Sequence, residues 1–152
     1  QWGLFDVEKI VEAALFPLDG LELPLHPVGG SDEQCTLVQL IGQVEDIIDW
    51  EVERVFDHYY NGSAVFQSLP MALWLFCRYG ESEPERMLIT AASGGRDADT
   101  IAAMCGNWVG AAHGQSAFPG RWNGPELEYR DELVGLASDL YDLWAREQDD
   151  VI

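Results

Sequence analysis

The sequence predicts an all-α fold with about seven helices, and three observations support this prediction. Apolar residues recur three and four positions apart along most of the chain, which is typical of helices with one buried face. Glycine and proline punctuate these stretches where helices end or begin, as at Pro84 and at Gly94 and Gly95. No stretch alternates apolar and polar residues as a half-buried strand would. The 152 residues, 47% of them hydrophobic, are enough for a single domain, which we expect to cover residues 1–152.

The first half of the chain predicts three helices. Apolar residues at helical spacing run from Leu4 to Leu15, and a second set lies in residues 37–48. Between them is a connection rich in proline and glycine, whose length is uncommon in compact domains unless the loop packs or functions. Residues 49–60 predict a short third helix with Asp49 as its N-cap.

The second half predicts four more helices. An apolar helix follows the turn YNGS, and Pro70 should kink this helix or start it afresh. Pro84 opens the next helix in the first-turn position that proline prefers. In the last helix, Trp144 fits a core or helix-packing role. These predicted helices cover residues 64–79, 84–93, 99–113 and 133–144.

The composition restricts partners and location. There are 27 acidic residues against 8 basic ones, which gives a net charge of −19, and Lys9 is the only lysine. A field of that sign repels phosphate backbones and argues against nucleic acid as a partner. An acidic surface of this kind suits either a salt-rich cytosol, where the repulsion is screened, or an ordinary acidic protein with well-solvated faces. With no apolar run of membrane length and no signal pattern at the start, we expect a cytoplasmic protein without a membrane partner.

The three cysteines predict free thiols. Cys35, Cys77 and Cys105 are odd in number and far apart, and no C-x-x-C pair occurs. Neither a zinc site nor a disulfide framework is therefore indicated. Buried reduced thiols are the expected state.

The segment SGGRDADTIAAMCGNWVGAAHG, residues 93–114, is the strongest candidate for a functional site. Asp97, Asp99 and Thr100 directly follow two glycines and stand where a helix begins. Two carboxylates and a hydroxyl are oxygen ligands that suit a hard cation such as Mg²⁺, with water completing the shell. The same residue types are also favoured as caps at helix N-termini. From the residues alone, metal ligands and helix caps remain open as interpretations.

Small residues recur every four positions in the helix that follows: Ala102, Gly106, Gly110 and Gly114. Glycine inside a helix costs about 0.5–1 kcal/mol relative to alanine. We expect close approach of a neighbouring helix to offset this cost. The pattern predicts a helix buried on most sides, with its N-terminus held rigidly inside the molecule, where a ligand would stay in register.

Two segments together resemble the ADP-ribosylglycohydrolase family. Residues 93–114 are similar to its C-terminal metal motif, and YNGSAVFQSLPMALWLF, residues 60–76, is similar to its N-G-S turn and the kinked helix after it. The resemblance implies an orthogonal multi-helix bundle with two Mg²⁺ ions, or Mn²⁺ in their place, at the bottom of an ADP-ribose cleft. It implies a Mg²⁺-dependent hydrolase that cleaves the glycosidic bond between ADP-ribose and an acceptor, either a protein or a small compound.

The resemblance also implies roles for individual residues. Asp97 and Asp99 would be the catalytic residues, acting as metal ligands together with Thr100. The residues expected to bind substrate, through backbone and short side chains, are Asn61, Gly62, Ser63 and Gly95.

The sequence departs from the family pattern in its metal ligands. The family's T-D-D segment does not occur in these residues, and Gln67 stands where many members carry glutamate. Arg96 and Ala98 also replace commoner choices. We therefore expect this chain to be the C-terminal half of a longer domain. Two other functions stay open: a catalytically silent ADP-ribose-binding or crystallin-like relative, and a structural helical interaction domain. The linkage to the acceptor is not specified by the sequence.

Overall fold

The computed structural model describes residues 6–29 and 31–149, and this part of the chain is almost entirely helical. The predicted all-α class is confirmed. Leu4, which we assigned to the first helix, lies outside the described residues. Within them there are seven helices: α1 (Val7–Leu15), α2 (Leu37–Asp46), α3 (Val52–Tyr59), α4 (Val65–Tyr79), α5 (Pro84–Ser93), α6 (Ala98–His113) and α7 (Arg130–Asp149).

Helix α4 is the centre of the core and contacts α2, α3, α5 and α6. Its Trp74 is completely buried, and the indole Nε1 donates a hydrogen bond to the carbonyl oxygen of Ile47 at 2.9 Å. Pro70 lies within this helix and is itself buried. The helix neither ends nor restarts there, so our expectation of a fresh start is wrong. Packing on both sides of Pro70 offsets the hydrogen bond that proline cannot donate.

The connection between α1 and α2 contains a short antiparallel hairpin that the sequence pattern did not predict. Strand β1 (His26–Pro27) pairs with β2 (Gln34–Cys35), the first residue of β1 opposite the last of β2. Two residues per strand are too few to show alternation. Val28 in its turn is buried, and a Cβ on Gly29 (φ +57°) would lie 2.5 Å from the carbonyl oxygen of Asp57. The long connection therefore packs against the end of α3.

Helices α2 and α3 begin in different ways. Helix α2 begins with a capping box, in which Gln39 N donates to Thr36 Oγ1 at 3.2 Å and Thr36 N donates to Gln39 Oε1 at 2.8 Å. The N-cap of α3 is Glu51, so our assignment of Asp49 is wrong. Asp49 instead forms a surface ion pair, with its Oδ1 2.7 Å from Nη1 of Arg78.

Helix α6 is deeply buried along one stripe only, which corrects our prediction that it is buried on most sides. Ile101, Cys105 and Val109 are fully buried, and α6 packs against α4 and α5. A Cβ on Gly106 would lie 3.7 Å from Leu88 Cδ2, an ordinary van der Waals distance. No close approach of a neighbouring backbone therefore depends on Gly106. A run of small residues is compatible with several degrees of burial, and only the neighbours decide between them.

The chain divides into two compact units, with the boundary between Ala117 and Phe118. The first unit contains α1 to α6 and the hairpin, and the second contains α7. Within this unit the large apolar side chains of α7 are exposed, including Trp144 at 56%. The core or helix-packing role expected for this tryptophan stays a prediction. The single domain over residues 1–152 stays a prediction.

Two expectations from composition can be compared with the described residues. Cys35, Cys77 and Cys105 are free, as predicted. Burial raises the pKa of the Cys77 and Cys105 thiols to about 12, which keeps them protonated and unreactive. None of the helices in the described ranges has both the length and the apolar character that crossing a membrane requires.

Candidate metal and substrate site

The turn after α3 carries the first motif and has an unusual backbone. Tyr60 and Asn61 both lie in the left-handed region, with φ of 68° and 49°. Asparagine enters this region more readily than most residues, whereas tyrosine does so rarely. The turn thus reverses the chain sharply between α3 and α4. Gly62 next to it is buried and Ser63 is exposed.

The loop between α5 and α6 carries the second motif and is bound to this turn by three hydrogen bonds. Asn61 is completely buried, and its Nδ2 donates to the carbonyl oxygen of Gly95 at 2.6 Å. The backbone N–H of Asp97 donates to the carbonyl oxygen of Asn61 at 3.2 Å. Nη1 of Arg96 donates to the carbonyl oxygen of Tyr60 at 3.0 Å. The structure therefore brings together two motifs that are about 35 residues apart in the sequence.

Glycine at position 94 allows the two segments to approach so closely. A Cβ on Gly94 would lie 2.8 Å from Nδ2 of Asn61 and 2.8 Å from Cζ of Phe56. Real Cβ atoms do not come so near to other heavy atoms, so any other residue here would push the loop away from the turn. Gly95 beside it has φ of +70° and is exposed.

The predicted metal ligands lie at the first turn of α6, nearer the surface than expected. Asp97 is the N-cap residue and is half-buried, whereas Asp99 and Thr100 are exposed. Our prediction that this N-terminus lies inside the molecule is therefore wrong for the described chain. The reason is that the buried stripe of α6 begins at Ile101.

The capping interpretation can be examined directly at Asp97. Although it occupies the N-cap position, its side chain makes no capping hydrogen bond to the helix backbone. Among the hydrogen bonds and ion pairs of the described residues, the carboxylates of Asp97 and Asp99 have no partner. Their oxygen atoms are therefore available to a cation, while both carboxylates also lie near the partial positive charge of the helix N-terminus.

The donor atoms of these residues are of the kind that Mg²⁺ binds, and they would form part of its ligand set. Asp97, Asp99 and Thr100 supply hard oxygen atoms within four residues. In the part of the chain that the structure describes, no three Asp, Glu, His or Cys residues converge as a metal site. The other positions around an octahedral ion would fall to water, substrate or groups beyond those described.

Gly62 lies against a residue that departs from the family pattern. A Cβ on Gly62 would collide with Oε1 of Gln67, which lies in the first turn of α4. The amide of Gln67 therefore covers the buried backbone of Gly62. The predicted substrate residues Asn61, Gly62, Ser63 and Gly95 are all found in the two joined segments, and their contact with substrate stays a prediction.

Sequence reasoning missed two aromatic contacts beside this site. The guanidinium of Arg96 lies 4.0 Å from the ring centroid of Tyr60, a cation–π contact on the outer side of the turn. The ring of His26 stacks on Phe66 with centroids 3.8 Å apart and planes 7° apart. Arg96 was visible in the sequence only as a departure from the family motif. His26 carried no sequence signal, because its partner lies across the fold.

The fold and these two joined motifs define the class of protein. The family model described as ADP-ribosylglycohydrolase matches residues 5–150. The chain therefore belongs to the ADP-ribosylglycohydrolase family, as the resemblance implied.

Curated relatives support this assignment. The chain is 37% identical over 110 residues to human ADP-ribosylhydrolase ARH3, covering 66% of this chain and 30% of the relative. It is 34% identical over 146 residues to the bovine protein of the same name, covering 89% of this chain and 38% of the relative. A protein of Archaeoglobus fulgidus is 34% identical over 110 residues, covering 72% of this chain and 34% of the relative. No solved structure matches the chain. The chain spans about a third of the length of the curated relatives it matches.

Proposed function

We propose that this chain carries part of the active site of a Mg²⁺-dependent hydrolase that releases ADP-ribose from an ADP-ribosylated protein or a small ADP-ribosyl compound. The observation that carries the proposal is the joining of the two motifs, in which Asn61 bonds to the loop that leads to Asp97. Family membership supplies the reaction class. The printed names of the relatives, ADP-ribosylhydrolase, agree with it.

The proposed role of Asp97, Asp99 and Thr100 is to hold a divalent cation. A bound Mg²⁺ supplies Lewis-acid polarisation of substrate oxygen atoms. The two carboxylates bring the negative charge that attracts the ion, and the exposed position of Asp99 and Thr100 leaves their oxygen atoms accessible. Asp97 is half-buried at the helix start, which restricts its side chain more than a surface loop would.

The proposed role of the turn at Asn61, Gly62 and Ser63 is to receive the ADP-ribose. Cleavage at the anomeric carbon passes through an oxocarbenium-like state, so the sugar must be held in a fixed orientation. The short side chain of the exposed Ser63 permits close approach of a ligand to the backbone there, whereas the buried Gly62 is covered by the amide of Gln67. The residue that gives or takes a proton is not assigned to this chain.

The test is the substitution Asp99→Ala, with Asp46→Ala as the matched control. Asp46 is an exposed aspartate at the end of α2 and belongs to neither the turn at residues 60–63 nor the loop at residues 94–97. Mg²⁺-dependent release of ADP-ribose is measured for the 152-residue chain and for the full product of its gene. We expect Asp99→Ala to reduce turnover at least about 100-fold, because changes to groups that merely support metal ligands already cost about 10–100-fold. Asp46→Ala should leave turnover unchanged.

Three results would contradict the proposal in different ways. Full turnover of Asp99→Ala at saturating Mg²⁺ would exclude this residue as a ligand. Binding of ADP-ribose by calorimetry, with no turnover by the full gene product, would favour the catalytically silent relative instead. Binding of neither Mg²⁺ nor ADP-ribose would favour a structural helical domain.

A further inference from the structure

We infer that Asn61 is a positioning residue, which fixes the loop of the proposed metal ligands through its side-chain amide. The inference rests on the proposed function, because it concerns the placement of Asp97 and Asp99. It assigns to Asn61 a task other than contact with substrate, since its Nδ2 is already engaged by the carbonyl oxygen of Gly95.

Asn61 contacts the loop before α6 from the buried side of that loop. Its side chain reaches Gly95, two residues before Asp97, and its own carbonyl oxygen accepts from the N–H of Asp97 at 3.2 Å. One residue thus holds the loop at two points, on either side of Arg96. Asn61 itself is completely buried, so both hydrogen bonds start from the inside of the fold, although Gly95 is exposed and Asp97 is half-buried.

The loop needs such support because its backbone is otherwise unfavourable. Gly95 and Arg96 are both in the left-handed region, with φ of 70° and 52°. A non-glycine residue in that region persists only when surrounding contacts hold it. The bond from Arg96 to Tyr60 lies on the exposed side, where water competes. The buried contacts of Asn61 are therefore the ones expected to set the loop.

The choice of asparagine follows from three requirements at this position. The residue must adopt φ of 49°, which asparagine tolerates. It must donate to a carbonyl oxygen, which aspartate cannot do when ionised. It must also be short, because Gly94 leaves no further room beside Nδ2.

The remaining atom of the side chain points to the same conclusion. Within the described residues, Oδ1 of Asn61 is buried and has no hydrogen-bond partner. A buried acceptor without a partner costs free energy. The structure tolerates this cost in a side chain whose Nδ2 bonds to the loop.

The first experiment measures the loop itself in metal-free protein. Amide hydrogen exchange is followed for Asp97 in Asn61→Gly, because glycine accepts the left-handed backbone and removes only the side chain. The isosteric Asn61→Asp is the second variant and removes the donor. Val109→Ala is the control variant, because it lowers the stability of the protein without changing the loop. Val109 is fully buried in the same helix, 12 residues or about 18 Å beyond Asp97.

We expect the Asp97 amide to exchange at least about 10-fold faster in both Asn61 variants than in Val109→Ala. Each variant is measured at the same temperature difference below its own melting temperature. Equal exchange in all three variants would overturn the inference. If Asn61→Gly does not fold, Asn61→Asp decides the question by the same comparison.

The second experiment connects the loop to the ion and separates this inference from the proposed function. Mg²⁺ binding to the full gene product is measured by calorimetry, and we expect both Asn61 variants to bind about 10–100-fold more weakly while Val109→Ala binds normally. Unchanged Mg²⁺ affinity in both Asn61 variants would overturn the positioning role. If the unsubstituted protein binds no Mg²⁺, the proposed metal site fails, and the exchange comparison alone then decides whether Asn61 fixes the loop.

Discussion

His58 lies half-buried at the end of α3, where its ring meets the edges of Trp50 and Tyr59. Its Nε2 is 3.0 Å from Oε1 of Gln43, and since that oxygen only accepts, Nε2 carries the proton of this hydrogen bond. These contacts give His58 a structural role. The ring ties α3 to α2 rather than facing the two motifs.

The environment of His58 makes stability depend on pH. Burial lowers its pKa from the ordinary value of 6.5, and the nearby charge of Arg54 lowers it further, against an opposite effect of Glu33. The folded state therefore binds fewer protons than the unfolded state on the acidic side of 6.5. Stability is fully present above the unfolded pKa and falls as the pH drops through the folded pKa.

We predict that His58→Gln reduces the loss of stability between about pH 7.5 and pH 5. Glutamine can still bond to Gln43 but does not titrate in this range. The measurement is the free energy of unfolding by denaturant at each pH, for the unsubstituted chain and the variant. Because the carboxyl groups are common to both, their titration cancels in the difference. Parallel pH profiles would contradict the prediction.

At the scale of elements, two of the glycines of the motif segment, Gly94 and Gly106, differ in what surrounds them. Gly94 closes α5 where the loop touches Asn61 and Phe56, and Gly106 lies inside α6 near Leu88. The sequence pattern predicted close approach along the stripe of Ala102, Gly106, Gly110 and Gly114. The structure places the close approach at Gly94 instead.

We predict opposite effects for alanine at these two positions. Gly94→Ala should lower the free energy of unfolding by about 1–3 kcal/mol, because the new Cβ overpacks the contact with Asn61 and Phe56. Gly106→Ala should raise it by about 0.5–1 kcal/mol, because alanine is the better helix former and the site has room. Denaturant unfolding of both variants checks the prediction. If Gly106→Ala instead lowered the free energy of unfolding, the interpretation that a neighbouring helix approaches α6 closely at Gly106 would be restored.

At the scale of the whole molecule, charge is the dominant feature. The net charge is −19, and the ion pairs found among described residues are at the surface. Surface pairs of this kind contribute about 0–1 kcal/mol each. They therefore do not compensate for the mutual repulsion of the many other carboxylates.

We predict that salt stabilises the chain. Raising KCl from about 0.1 M to 1 M shortens the screening length from about 10 Å to about 3 Å, which weakens this repulsion. The melting temperature should rise by about 2–4 °C for each kcal/mol regained. Calorimetry at both salt concentrations provides the measurement, and the rise should shrink near pH 4, where many carboxyl groups are protonated. A melting temperature that does not change with salt at neutral pH would exclude repulsion as a limit on stability.

The elements that sequence reasoning located correctly are those whose signals are local. Pro84 at the start of α5 and Gly114 after α6 follow from backbone preferences that need no neighbour. Asp49 is a good cap in isolation but was misplaced, because its carboxylate pairs with Arg78 from α4 and the helix begins after Glu51. The hairpin was missed because its strands are held by pairing and by the end of α3, neither of which a short window of sequence contains.

The sequence by itself determined the helical class, the family and the residue types of the candidate site, because periodicity, turn residues and motif spacing are written along the chain. Only the tertiary structure decided that Asn61 bonds to Gly95 and that the carboxylate of Asp97 makes no capping hydrogen bond. It also decided that α6 is deeply buried along one stripe only. The physical reason is that burial and hydrogen-bond partners come from segments distant in sequence. They are fixed by how the helices pack together rather than by local preference.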